Sequence, residues 1–256
     1  MSFEGKRALI TGGSRGIGFA VARRLGRSGA EVAVCGRNAE RLDRAVEALR
    51  EEGVRAWGAA CDVSDPAAVD RLAAAVRERW DRLDILVNNA GVNEPTPLDP
   101  PDDAAWERVL HSNLSSGYYV TSRMTPLLPE GGRVIFISSV TGRFGVPELS
   151  AYCAAKHGVI GLMRSAALEL APRKITVNAV CPGWVETDMA RESMERTAKA
   201  VGQSYEETRR RFLEQVPLGE MIDPDEVAEL VLFLCSPAAR HITGQAYNLC
   251  GGAVMS

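Results

Sequence analysis

Short apolar runs alternate with longer amphipathic ones along nearly the whole chain. The runs RALIT (7–11), EVAVC (31–35), RAWGAA (55–60), LDILVN (83–88), RVIFIS (133–138), ITVNAV (175–180) and AYNLC (246–250) are five or six residues long. Several are rich in Val and Ile, the composition of strands buried on both faces. Between them lie stretches such as GFAVARRLGRSG, NAERLDRAVEALREEG and DPAAVDRLAAAVRERW, amphipathic in the manner of helices. Each opens near Gly, Asn or Asp and several close near Gly, as helix caps require. Seven strands with intervening helices predict an α/β fold: one doubly wound, seven-stranded parallel sheet with helices on both faces. Right-handed crossovers then place the carboxyl ends of all strands on one edge, where ligands bind. No repeat, low-complexity tract or linker interrupts residues 1–256, which read as a single domain. The one long irregular region, about 187–222, is charged and Met-rich and falls over the ligand edge. It reads as a substrate lid or, alternatively, as a helix pair facing another subunit.

Composition narrows the class. A chain of 256 residues suits one sizeable core, and 46% hydrophobic with 25% charged residues is ordinary for a globular protein. The net charge of −3 comes from well-mixed signs. RRRF (209–212) is flanked by acidic residues and reads as a solvated helix face, so neither a nucleic-acid nor a membrane surface is expected. The amino terminus enters a strand without a basic and then apolar leader, and no apolar run approaches the roughly 18 residues of a membrane span. Six cysteines (35, 61, 153, 181, 235 and 250) lack CxxC or CxH spacing. They read as reduced, buried thiols of a cytoplasmic protein, with no disulfide frame and no metal site. Cys153, beside Tyr152, is read as buried, a reactive thiol being the alternative.

The first strand ends in TGGSRGIG (11–18). A glycine-rich loop between a strand and a helix lets main-chain N–H groups and the helix N-terminus approach a pyrophosphate. Gly12, Gly16 and Gly18 stand at G-x-x-x-G-x-G spacing, which a tight structural turn would also satisfy. The flanking strand, amphipathic helix and second strand favour a dinucleotide. At the end of that second strand an acidic residue would bind a ribose 2′-hydroxyl and a basic one a 2′-phosphate. Here Gly36 takes the acidic position, Arg37 follows it, and Arg15 lies within the loop. Two planar guanidinium forks and no carboxylate predict NADPH over NADH; the alternative is that Arg37 points to water.

The chain has 26 arginines but only four lysines, at 6, 156, 174 and 199. One of them, Lys156, stands in SAYCAAKHG four residues after Tyr152, hence one helical turn away on the same face. A free phenol with pKa about 10 is a poor acid or base near neutrality. A neighbouring cation can lower that value by roughly one to three units. A compact ammonium with three donors can do so and also reach ribose hydroxyls, which a broad guanidinium does less well.

TGGSRGIG at 11–18, NNAG at 88–91 and YCAAK at 152–156, in that order and at these separations, resemble the signatures of short-chain dehydrogenases/reductases. The resemblance runs from residue 6 to about 252, and the glycine spacing resembles that of the compact single-domain branch. It implies a Rossmann fold and a catalytic tetrad of Asn113, Ser139, Tyr152 and Lys156. Ser139, thirteen residues before the tyrosine, would bond the substrate carbonyl, and the Asn113 main chain would hold a water relaying protons to Lys156. His111 reads as a helix-face residue. The implied cofactor contacts are Gly12, Ser14, Arg15, Gly16, Ile17, Gly18, Arg37, Asp62, Val63, Asn89, Ala90, Gly91, Tyr152, Lys156, Pro182, Gly183, Val185 and Thr187. Asp62 would meet the adenine, and Val185 and Thr187 the carboxamide. Substrate contacts would come from Asn93, Ser139, Val146, Tyr152 and Trp184, with Glu94 beside Asn93.

The carboxyl-terminal run, above all AYNLCGG (246–252), resembles β-ketoacyl carrier-protein reductases and aromatic polyketide ketoreductases. The expected reaction is NADPH-dependent reduction of a ketone, or of a β-ketoacyl thioester, to a secondary alcohol. The reverse alcohol oxidation and a non-catalytic dinucleotide-binding regulator are the alternatives. PLLPEGGR (126–133) lacks the basic residues that carrier-protein reductases place before the fifth strand; Arg133 and Arg173–Lys174 remain as docking charges. The resemblance also implies a homotetramer, formed through helices at about 102–128 and 150–171 and the last strand.

Overall fold

The computed structural model describes residues 1–255; Ser256, the end of the predicted unit, lies outside the described residues. Seven strands form one parallel sheet: β1 (Arg7–Thr11), β2 (Glu31–Gly36), β3 (Ala56–Ala60), β4 (Ile85–Asn88), β5 (Arg133–Ile137), β6 (Thr176–Pro182) and β7 (Ala246–Leu249), in spatial order 3-2-1-4-5-6-7. Chain order reverses between β1 and β4, which opens a crevice at their carboxyl ends.

Nine α-helices among the described residues cover the sheet: α1 (Gly16–Arg27), α2 (Ala39–Glu51), α3 (Pro66–Arg79), α4 (Asp103–Leu110), α5 (Ser116–Met124), α6 (Ser150–Leu170), α7 (Asp188–Val201), α8 (Tyr205–Leu213) and α9 (Pro224–Cys235). Successive side chains of a strand point to opposite faces, so each strand feeds two cores. Leu9 joins Val76 of α3, Met124 of α5 and Met163 of α6 in one core. Its neighbours Ala8 and Ile10 join Leu25 of α1, Leu49 of α2 and Val231 of α9 in the other. Helix starts follow local chemistry. Asn38 accepts from Arg41 N at the start of α2, Asp65 precedes Pro66 at α3, and Asp223 with Glu226 forms a capping box at α9.

The structure departs from the sequence pattern in three places. The run at 83–88 becomes a strand only from Ile85. Asp84, 4% exposed, accepts from Lys6 Nζ, Arg7 N and Arg82 Nε and fastens the bottom of the sheet instead. The helix expected over 102–128 is α4, a π-helical turn at His111–Ser115, and α5. The region expected to be irregular contains α7 and α8, joined through Gly202 at φ +68° and a Ser204–Glu207 capping box. Its ends are tied back by a bridge between Val185 and Ile222.

Candidate active site

One cleft of about 1020 Å³ opens at the carboxyl edge of the sheet and passes along β2, β1, β4, β5 and β6 beneath α7 and α8. Of the predicted contacts, every one lines it except Gly18, which is buried behind the loop. Glu94 is also absent from the lining, because it pairs with Arg108 of α4 at 2.6 Å.

The glycine loop fits a pyrophosphate. A Cβ on Gly12 would stand 2.9 Å from Ala90 Cα, and one on Gly18 would stand 2.4 Å from Gly12 O and from Asn89 Nδ2. Asn89 is the reason for that crowding: its Nδ2 donates to Thr11 O at 2.9 Å and Gly12 O at 3.2 Å. Asn89 N and Ala90 N both donate to Thr11 Oγ1 at 3.0 Å, which closes the seam between β1 and β4. Gly16, at φ +54°, opens α1, whose start has no side-chain cap. The first N–H groups of that helix therefore face the cleft, the arrangement that binds anions.

At the far end, Ser14, Gly36, Arg37, Asn38 and Arg41 share one wall. A Cβ on Gly36 would stand in van der Waals contact with Ser14 Oγ, at 3.4 Å, so glycine leaves that part of the wall open. Arg41 was not singled out in the sequence; its signal is a place in the first turn of α2, one helical turn past Arg37. Burial pushes the Asp62 carboxyl up, but two Ser64 hydrogen bonds and the Arg37 charge outweigh it and hold the group below its usual range. Arg15 behaves differently from the expectation. It pairs with Asp188 at 3.1 Å and Glu192 at 3.6 Å, both on α7, instead of joining Arg37.

The π-helical turn presents Asn113, 4% exposed, with Nδ2 donating to Val92 O at 3.0 Å and Val109 O at 2.9 Å. A Cβ on Gly91 would lie 2.5 Å from Asn113 Oδ1 and 3.8 Å from Lys156 Nζ, so glycine lets the asparagine and the lysine share one neighbourhood. His111, half-exposed, bonds Glu107 O at 2.8 Å and stands on the helix face as read.

Ser139 follows β5, accepts from Thr141 N at 3.2 Å and lies near enough to the Tyr152 hydroxyl to favour its ionised form. Lys156, one turn further along α6, is 4% exposed; its Nζ donates to Ile137 O at 3.0 Å and stands 5.5 Å from the Tyr152 ring centroid. The expected lowering of the phenol is not found. Burial pushes Tyr152 up to about 12, against the weaker opposing effect of Ser139. Burial pushes Lys156 down to about 8. Desolvation dominates both groups, and the ammonium donates to the main chain of β5. All six cysteines are free and buried, Cys153 included.

The opposite wall is apolar: Phe144, Val146, Leu149, Met189, Trp184 and Phe212, the last two with ring centroids 4.7 Å apart. Phe212 is invisible to local pattern reading, since it follows three arginines on a polar helix. Only the fold of α8 over β6 brings it to Trp184.

Residues 12–254 match the family model described as enoyl-(acyl carrier protein) reductase. A Streptomyces coelicolor protein named as a ketoacyl reductase is 43% identical over 96% of this chain and 95% of its own length. The 3-oxoacyl-[acyl-carrier-protein] reductase of Aquifex aeolicus is 37% identical over 98% of each chain. A crystal structure of a variant actinorhodin polyketide ketoreductase with NADPH superposes with a TM-score of 0.94, at 41% identity, and covers 99% of each chain. With a match of this extent behind the geometry, the chain belongs to the short-chain dehydrogenase/reductase family and is an NAD(P)H-dependent oxidoreductase.

Proposed function

We propose that this protein reduces a ketone, carried on a polyketide or β-ketoacyl substrate, to a secondary alcohol with NADPH. The observation that carries the reading is that Ser139, Tyr152 and Lys156 line one cleft, with Lys156 one turn from Tyr152, between an anion-fitting glycine loop and an apolar wall. Its support from relatives is that a ketoacyl reductase, a 3-oxoacyl-[acyl-carrier-protein] reductase and a polyketide ketoreductase all align over nearly their full lengths.

NADPH, when bound, supplies the hydride that reduces the carbonyl carbon. The loop residues Gly12, Ser14, Gly16 and Ile17 with the α1 N-terminus hold its pyrophosphate. Ser14, Arg37 and Arg41 receive the 2′-phosphate, and Arg15 joins them by leaving its exposed carboxylates, a cheap exchange. Asp62, Val63 and Asn89–Gly91 flank the adenosine half, while Pro182, Gly183, Val185 and Thr187 receive the nicotinamide half. Asn93, Val146 and Trp184 hold the ketone so that Ser139 and Tyr152 donate to its oxygen, which stabilises the charge developing there. Tyr152 then gives up its proton. Lys156 orients the ribose, and Asn113 holds the water chain that returns a proton to the tyrosine. Helices α7 and α8 act as the lid, which excludes water from the apolar wall. The protein acts in the cytoplasm as a homotetramer, a state favoured by exposed Tyr118 on α5 and Leu168 on α6.

The test is initial-rate consumption of NADPH and of NADH on a β-ketoacyl thioester and on a bulky fused-ring ketone. NADPH should be used faster on at least one ketone, and silence on both would contradict the reading. Arg37→Ala should raise KM for NADPH about tenfold or more, through loss of a charge-assisted phosphate contact, and leave NADH unchanged. An equal effect on both cofactors would remove Arg37 from phosphate recognition.

A pH dependence follows from Tyr152. A phenol pushed up to about 12 is protonated at neutral pH, which suits donation to an alkoxide, a far stronger base. Reduction should therefore be flat with pH about neutrality, whereas alcohol oxidation, which needs the phenolate, should accelerate as pH rises. Measured pH–rate profiles in both directions check this, and an oxidation rate independent of pH would contradict it.

A further inference from the structure

Three consecutive residues at the end of β5 each hold a different group of α6. Ile137 O accepts from the Lys156 ammonium at 3.0 Å. Ser138 Oγ donates to the main-chain carbonyl of the same Lys156, also at 3.0 Å. Ser139 meets the Tyr152 hydroxyl. The middle contact is of another kind from its neighbours, because it holds the helix itself and not a side chain. A carbonyl inside a helix already serves the N–H four residues on, and its second lone pair is free for a further donor.

The surroundings of Ser138 are built for that contact. Its main-chain N–H donates to Val180 O at 2.8 Å, which fixes the residue to β6. Its side chain is buried beside the Cys181 thiol, which Arg143 also approaches. Gly142 ends the short turn that carries Ser139. A Cβ there would lie 2.8 Å from Lys156 O and 3.0 Å from both Ser138 Oγ and Ile160 Cδ1. Turn, strand end and helix carbonyl therefore meet at one point with no room to spare.

We propose that Ser138 is a positioning residue for the reaction: its hydroxyl fixes α6 against the end of β5, and so sets where Tyr152 and Lys156 stand relative to Ser139. The Ile137–Lys156 contact alone does not do this, since a lysine ammonium on a four-carbon stem can follow a shifting helix and keep its bond. A main-chain carbonyl cannot move without the helix. One helical residue advances about 1.5 Å, and a misplacement of about 1 Å can cost as much as a hundredfold in rate.

The effect on turnover rests on the proposed function; the effect on geometry does not, and the test reads both. Ser138→Ala leaves the Lys156 carbonyl its helical partner, so the fold should survive. With only four lysines in the chain, the Lys156 Nζ titration can be followed by NMR in the ligand-free protein. It should move away from about 8 in Ser138→Ala. In turnover, Ser138→Ala should lower kcat about tenfold, with KM for NADPH within about twofold, and shift the pH–kcat profile of alcohol oxidation. An unmoved lysine titration in Ser138→Ala would overturn the proposal, as would a kcat per folded molecule and pH profile equal to those of the wild type. If the wild type reduces no ketone, the lysine titration alone decides, and the failure then belongs to the proposed function.

Discussion

Tyr152→Phe should lower kcat by roughly 10²–10⁴-fold, the range general acid catalysis contributes, while NADPH affinity stays within about threefold, the scale of one modest hydrogen bond. The substitution removes the hydroxyl that faces Ser139 and leaves the ring in place over Lys156, so the cleft keeps its shape. The split between kcat and binding separates a proton donor from a merely structural ring, because loss of packing would lower cofactor affinity and thermal stability together. Rapid-mixing turnover and fluorescence titration of NADPH on the same variant measure both. Turnover within threefold of the wild type would remove Tyr152 from the chemistry.

Gly18→Ala should weaken NADPH binding by roughly a hundredfold, since overpacking of this severity costs about 1–3 kcal/mol or more and each 1.4 kcal/mol is about tenfold. The added Cβ has no soft neighbour to displace: it meets the Gly12 carbonyl oxygen and Asn89 Nδ2 at 2.4 Å. Asn89 is itself bonded to Thr11 O and Gly12 O, so the glycine loop must open and lose the shape that approaches the pyrophosphate. Isothermal titration with NADPH and with NADH should show equal losses, because both share that pyrophosphate. A selective loss of NADPH alone would place the damage at the 2′-phosphate wall instead.

The strands were legible because β1, β2, β4, β5 and β6 are short runs of apolar residues buried on both sheet faces, a pattern that tertiary context reinforces. The edge strands β3 and β7 keep the same short apolar composition. The run at 83–88 misled at its start because Asp84 looks like a strand residue by position, yet its carboxylate serves three donors, from Lys6, Arg7 and Arg82. The π-helical turn at Asn113 has no local signature, since it widens one turn inside an otherwise continuous helical stretch. Distances between glycine, tyrosine and lysine in sequence were enough to place the loop and α6. Contacts between distant segments were not readable. Phe212 reaches Trp184 across 28 residues, and Arg15 reaches Asp188 across 173. The spacing of Lys156 places it one turn from Tyr152, as the structure has it, but its charge is expected to lower the tyrosine. Burial of both groups, which depends on the assembled cleft, decides the matter the other way.

The most direct test of the central claim is reduction with NADPH deuterated at the transferring C4 position, with the alcohol product analysed by mass spectrometry and NMR. The account predicts one deuterium per product at the new carbinol carbon, formed by the wild type and lost with Tyr152→Phe. An alcohol without deuterium, or deuterated NADPH left unconsumed in the presence of every ketone offered, would contradict it.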